Sequence, residues 1–110
     1  MTQNWIYCRT KLPFRFAAKL KSRRVRKKVR KRNMDYCEII YEWKSLKNRE
    51  RDGLYALYRH LYGGDISAII IPSLSDIGNR NEQADFIERM QELEIPVFCL
   101  KDRKKSGAGL

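Results

Sequence analysis

The chain has 110 residues, 24 Lys and Arg against 13 Asp and Glu, and a formal net charge of +11. That length holds one domain with one modest core, and 43% hydrophobic with 34% charged residues is a globular composition, not a disordered one. No apolar run approaches the roughly 18 residues of a membrane span, and MTQNWIYCRTK lacks the basic-then-apolar order of a secretion signal, so membrane-spanning and exported classes are not expected.

Residues 4–9 (NWIYCR) read as a short strand. Pro13 predicts a helix start, because its missing N–H falls where a helix has no bond to make. Phe14, Ala18, Val25 and Val29 then fall near one face of a helix over about 13–33, with Ser22 in the gap of a thin apolar stripe. Residues 36–42 (YCEIIYE) read as a second strand from their β-branched and aromatic content. A polar loop follows at 44–53. Leu54, Leu57, Tyr58 and Leu61, spaced i, i+3, i+4 and i+7, predict an amphipathic helix that Gly63 and Gly64 end.

Residues 66–71 (ISAIII) form the strongest strand, and the apolar run predicts burial on both faces, as at the centre of a parallel sheet. Pro72 stops it and 73–81 read as a loop. Phe86, Ile87, Met90 and Leu93 mark a third helix, and Pro96 opens a last strand, VFCL. The order βαβαβαβ predicts an α/β fold: three layers, α/β/α, around a mostly parallel sheet of about four strands. One domain is expected over 1–102, with a flexible tail at 103–110.

The charge is unevenly placed. Residues 1–34 hold 13 of the 24 Lys and Arg and none of the acidic residues. The expected binding set is Arg15, Lys19, Arg23, Arg24, Arg26, Lys27, Lys28, Arg30, Lys31 and Arg32. Seven like-charge pairs four residues apart would cost a bare helix about 1.5–3.5 kcal/mol in total. A polyanion relieves that repulsion, so nucleic acid, DNA or RNA, is the expected partner. Other readings compete: a solvated face that meets nothing, a face neutralised by the acidic segment 82–94, or a face that docks on an acidic membrane or protein. The apolar stripe is narrow for a membrane, and no membrane partner is expected. Phosphate contacts position a protein without reading bases, so no sequence specificity follows.

Cys8, Cys37 and Cys99 lie far apart, which fits buried reduced thiols in a cytoplasmic protein better than a disulfide framework. With His60 as the only histidine and no CxxC, neither a metal site nor a cofactor is expected. His60 reads as a solvated or helix-capping residue. Tyr55 and Tyr62 are the tyrosines expected to be most exposed. Ser73 and Ser75 fall in the loop after the central strand, where sites in open α/β sheets usually sit.

Residues 45–80, SLKNRERDGLYALYRHLYGGDISAIIIPSLSDIGNR, resemble the catalytic domain of the resolvase/invertase serine recombinases. Arg51-Asp52-Gly53-Leu54 matches the family's Arg-x-Gly-Leu, and Gly64-Asp65 with ISAIII matches its Gly-Asp/Glu and hydrophobic strand. Tyr7-Cys8-Arg9-Thr10-Lys11 aligns with the opening Tyr-x-Arg-Val-Ser, and FIERMQELEIPVFCLKD resembles the closing helix and strand. The likeness spans most of 5–102 and implies a resolvase-like fold, DNA as partner, and catalytic positions at Arg9 and Arg51.

The departures bear on activity. Lys11 stands at the family's nucleophilic serine, and Leu-Asp-Arg-Leu-x-Arg has become Leu74-Ser75-Asp76-Ile77-Gly78-Asn79. The family reaction needs a hydroxyl nucleophile and guanidinium groups around the phosphorane charge. Asp76 is expected to put negative charge where phosphate would sit. The expectation is therefore DNA binding through the basic helix with recombination chemistry lost. The alternatives are a recombinase that is active or assisted by an intact partner, and a regulatory module that pairs with a recombinase or with itself. The chain reaches Leu110 without the family's long dimerisation helix and DNA-binding domain, which fits a degenerate relative or a fragment.

Overall fold

β1 (Asn4–Thr10) occupies the middle of the molecule, with Ile6, Tyr7 and Cys8 fully buried. Successive side chains of a strand point to opposite faces. Ile6 and Cys8 accordingly enter one apolar cluster and Tyr7 the other. A computed structural model describes residues 3–44 and 51–101. Its sheet adds β2 (Glu38–Trp43), β3 (Ala68–Ile71) and β4 (Val97–Cys99) in the order β2-β1-β3-β4, every pair parallel. Ile6 stands opposite Ile39 on one side and Ile70 on the other. All four residues of β3 are buried, as its unbroken apolar run requires.

Three helices cover the two faces. α1 (Arg15–Lys31) packs Val25 and Val29 on Ile6, Cys8 and Ile70. α2 (Asp52–Tyr62) and α3 (Arg80–Leu93) lie on the other face, where Leu54, Leu57, Leu61, Phe86 and Met90 close over Tyr7, Ile69 and Ile71. The fold is thus the three-layer α/β/α arrangement with a four-stranded, all-parallel sheet. Among the described residues no helix is long and apolar enough to cross a membrane.

Local chemistry shifts several boundaries. Pro13 does not open α1. Phe14 is its N-cap, half exposed, and the helix begins at Arg15, so the buried stripe is Ala18, Ser22, Val25 and Val29. Ser22 tolerates burial because its hydroxyl donates to the Lys19 carbonyl at 2.7 Å. Residues 73–81 are not all loop. Leu74–Asp76 makes one 3-10 turn, and Asn79 caps α3 in a reciprocal box with Glu82. β2 starts two residues later than expected and extends to Trp43. Ile66 and Ser67 precede β3, although Ile66 is buried. Ile87 faces outward at 39% exposure, leaving Phe86, Met90 and Leu93 to pack inward. Cys37 is exposed, contrary to the buried-thiol expectation. Residues 45–50 of the polar loop and the expected tail at 103–110 lie outside the described residues.

This layering predicts unequal costs for two isoleucines. Ile70→Ala opens a cavity between β1 and α1 and should lower the unfolding free energy by about 3 kcal/mol. Ile87→Ala should change it by about 0.5 kcal/mol. Urea denaturation of the two variants checks the order.

Candidate functional site

The outer face of α1 follows from its inner one. With Ala18, Ser22, Val25 and Val29 turned to the sheet, the remaining positions face water. Arg15, Lys19, Arg23, Arg24, Lys27, Lys28, Arg30 and Lys31 are exposed, while Arg26 and Arg32 are half-buried. Arg32 donates to the Leu100 carbonyl at 2.9 Å. Among the described residues none of these ten cations has a carboxylate partner. The acidic segment 82–94 does not supply one, because α3 packs on the opposite face of the sheet. Lys28, Arg30 and Lys31 sit in the last turn, where the helix dipole favours positive charge.

Lys21, on the same helix, turns inward. Its ammonium meets the Asp76 carboxylate at 2.6 Å and the Arg9 carbonyl at 2.5 Å. These groups border a cavity of about 300 Å³ at the C-terminal end of β1, lined by Arg9, Thr10, Lys11, Lys21, Ser75 and Asp76. Asp76 is buried and fully engaged: Oδ2 also accepts the Arg9 backbone N–H at 3.0 Å, and Oδ1 accepts from Ser73 at 3.2 Å. Asp76 does line the cavity, as a carboxylate paired with Lys21. Ser73 and Ser75 share a hydrogen bond at 2.7 Å. The Arg9 Nε is buried with no hydrogen-bond partner among the described residues. Beneath the cavity, burial first and then Asp76 push the Cys8 thiol up to about 12, against the opposing effect of Lys21 and Arg26.

Arg51 does not share this cavity. It caps α2 from a left-handed backbone (φ 71°), and its side chain is only 10% exposed. The guanidinium donates to the Tyr7 hydroxyl at 3.0 Å, the Ile77 carbonyl at 2.5 Å and Glu82 at 2.7 Å. Glu42, buried on β2, takes a short hydrogen bond from the Tyr7 hydroxyl and lies 3.7 Å from the Arg51 Nε. Burial alone would lower the Arg51 pKa, but Tyr7, Glu42 and Glu82 outweigh it and hold it above the ordinary value. Burial, then Glu42, raises the Tyr7 phenol, which stays neutral.

Two glycines make room for this cluster. A Cβ at Gly53 would come within 3.0 Å of the Glu42 carboxyl carbon. Gly78 has φ +148°, and a Cβ there would press on both Glu82 and an Arg51 nitrogen. The two expected catalytic arginines thus stand in different surroundings: Arg9 at an open cavity, Arg51 inside a structural network.

Tyr7, Glu42, Glu82 and Lys21 were not singled out from the sequence. Glu42, an acid flanked by Tyr41 and Trp43 within an otherwise apolar run, was the available signal, since a carboxylate buried there must find a partner. His60 pairs with Asp65 at 2.8 Å near the end of α2 and packs on Trp5, in line with a local rather than catalytic role. Tyr55 and Tyr62 are exposed, as expected.

No protein-family model matches the chain, and no curated protein matches its sequence. Solved structures do match its fold. A resolvase family site-specific recombinase from Streptococcus pneumoniae superposes with a TM-score of 0.71 at 12% identity, over 93% of this chain and 74% of that one. The product of the first open reading frame of transposon ISC1904 from Sulfolobus solfataricus P2 gives 0.68 at 15% identity, over 90% and 67%. The C-terminal catalytic domain of ISC1926 TnpA, an IS607-like serine recombinase, gives 0.64 at 14% identity, over 89% and 67%. The chain has the fold of serine-recombinase catalytic domains.

If Arg51 is structural, its loss should be felt in folding. Arg51→Met strands the Glu42 carboxylate and should cost about 3 kcal/mol, whereas Glu82→Gln, at the half-exposed end, should cost less than about 1 kcal/mol. Thermal and urea unfolding distinguish these. Alkylation at mildly alkaline pH, followed by mass spectrometry, should label exposed Cys37 well before buried Cys8, whose thiol stays protonated.

Proposed function

We propose that this chain binds DNA through the outward face of α1 and does not carry out recombination. The observation that carries this reading is a set of eight exposed cations on one helix, with no carboxylate partner among the described residues. Such a face exchanges condensed counterions for phosphate contacts, which is the dominant source of affinity for a nucleic-acid backbone. RNA offers the same phosphates. A cytoplasmic setting belongs to the same reading.

Loss of chemistry is supported by three features. Lys11 stands where the resemblance calls for the nucleophilic serine, so the hydroxyl that the family's reaction uses is missing from that position. The Arg51 guanidinium is engaged by Tyr7, Ile77 and Glu82. Asp76, at an arginine position of the family motif, is held by Lys21. A second reading, in which an intact partner subunit completes the site, is favoured by Arg9, whose buried Nε has no hydrogen-bond partner among the described residues.

Fluorescence anisotropy with duplex DNA across a salt series should give a slope of log affinity on log salt of about −4 to −6, or roughly five to seven phosphates. Charge reversal at Arg23, Arg24, Lys27 and Lys28 should reduce that slope by about 3 to 4 and remove most of the affinity. Unchanged binding by this variant would sink the proposal. Incubation with nicked or supercoiled DNA should leave no covalent protein–DNA adduct; an adduct formed by this chain alone overturns the loss of chemistry, and one formed only when an intact serine recombinase is added establishes the second reading instead.

A further inference from the structure

The first turn of α1 and the segment before it expose four large apolar side chains in a short stretch: Leu12, Phe14, Phe16 and Leu20. Phe16 is 63% exposed, and its ring stacks on Phe14 with centroids 5.5 Å apart and planes 25° from parallel. Single exposed apolar residues need no explanation, but a contiguous group with an ordered aromatic pair marks a contact surface. Phe16 and Leu20 also share a helix face with cations. Leu20, Arg23, Lys27 and Lys31 follow Phe16 at i+4, i+7, i+11 and i+15, so one outward stripe is apolar at its N-terminal end and cationic beyond. At 1.5 Å per residue the stripe from Phe16 to Lys31 is about 22 Å long, which suits a short single-stranded site.

We infer that the Phe14–Phe16 pair is a stacking platform for an unpaired base of single-stranded DNA, whose backbone then follows the cations of α1. The inference rests on the DNA-binding reading above and narrows its substrate. In a duplex the faces of the bases are covered by their neighbours and only the edges are offered in the grooves. Phenyl rings carry no donor or acceptor with which to read an edge. An unpaired base offers its face, and stacking on an exposed aromatic ring beside a positive groove is the general means of holding single strands. The two rings already lie against each other, so the base stacks on the open face of Phe16. A lipid surface fits less well. The long apolar stripe of α1 is turned into the sheet, whereas a helix lying in a membrane needs that broad face for the lipid.

The test uses the full chain with a fluorescein-labelled blunt duplex and with the same duplex extended by a short thymidine overhang, at matched salt. Wild type should bind the overhang form about tenfold more tightly, the scale of one stacked base. Phe14→Ala/Phe16→Ala should lose that preference while keeping its affinity and salt slope for the blunt duplex. Phe16→Trp, with a larger ring, should restore or increase it. Absence of the preference in wild type, or its survival in the double alanine variant, overturns the stacking platform and leaves the phosphate-binding role of α1 intact. No binding to either DNA at low salt overturns that role and the platform with it. If wild type shows no overhang preference but is captured by phosphatidylcholine–phosphatidylserine vesicles, and the double variant is not, the patch is a lipid contact and the proposal fails.

Discussion

A carboxylate buried in a protein must be neutralised or hydrogen-bonded, and Glu42 imposes that requirement on this fold. Its partners come from elements far apart in sequence: the Tyr7 hydroxyl on β1, the Gly53 amide at the start of α2, and the Arg51 guanidinium. Arg51 reaches on to Ile77 and to Glu82 on α3. One charge thus ties the middle and edge strands to both helices of that face. Arg51 keeps a left-handed backbone to do so, a conformation that costs a non-glycine residue about 1 kcal/mol and that persists because the side chain is fixed at several points. The open spaces at Gly53 and Gly78 belong to the same arrangement.

The Lys21–Asp76 pair does comparable work at the C-terminal end of β1. It joins α1 to the turn after β3 and also holds both backbone polar groups of Arg9, the N–H through Asp76 and the carbonyl through Lys21. The carboxyl end of an open α/β sheet is the usual place for a ligand. Here that end is filled largely by charge pairs that satisfy one another. Electrostatic catalysis of phosphoryl transfer needs positive groups aimed at an empty position where charge will develop. Lys21 and Arg51 are aimed at carboxylates of the protein instead, which supports the proposed loss of chemistry.

Much of the layering was legible in the sequence, because it rests on local patterns. The i, i+3, i+4, i+7 spacing of Leu54, Leu57, Tyr58 and Leu61 marks a buried helical stripe, and all four residues are buried. The triple isoleucine of β3 has too little polar content for anything but the middle of a parallel sheet. The ion-pair network was not legible in the same way. Arg51 reads as catalytic from its motif, and its contacts with Glu42, Glu82 and Tyr7 depend on residues far away in sequence that no local pattern links to it. Boundaries failed where a single residue had two plausible roles. Pro13 fits a first helical position, yet the Phe14 carbonyl, accepting from Ala17 and Ala18, sets the start of α1 two residues later. Ile87 fits the apolar period of α3 but lies at its margin, outside the width of the groove that the sheet offers.

Among the described residues, the exposed cations of α1 have no carboxylate partner within the fold. Repulsion among its cations works against the helix by about 1.5–3.5 kcal/mol. The burial of Val25 and Val29 against the sheet holds the helix in spite of it. Among the described residues, the acids that form ion pairs form them elsewhere: Asp76 with Lys21, Glu42 and Glu82 with Arg51, Asp65 with His60, Asp85 with Arg89. The scaffold pairs its buried carboxylates while leaving eight exposed cations on one helix, and that contrast is what supports the proposed anionic partner. The aromatic end of the same stripe gives that complement a second property. A featureless polyanion would satisfy the cations alone, whereas a partner that is both anionic and planar would use the exposed stacked rings as well.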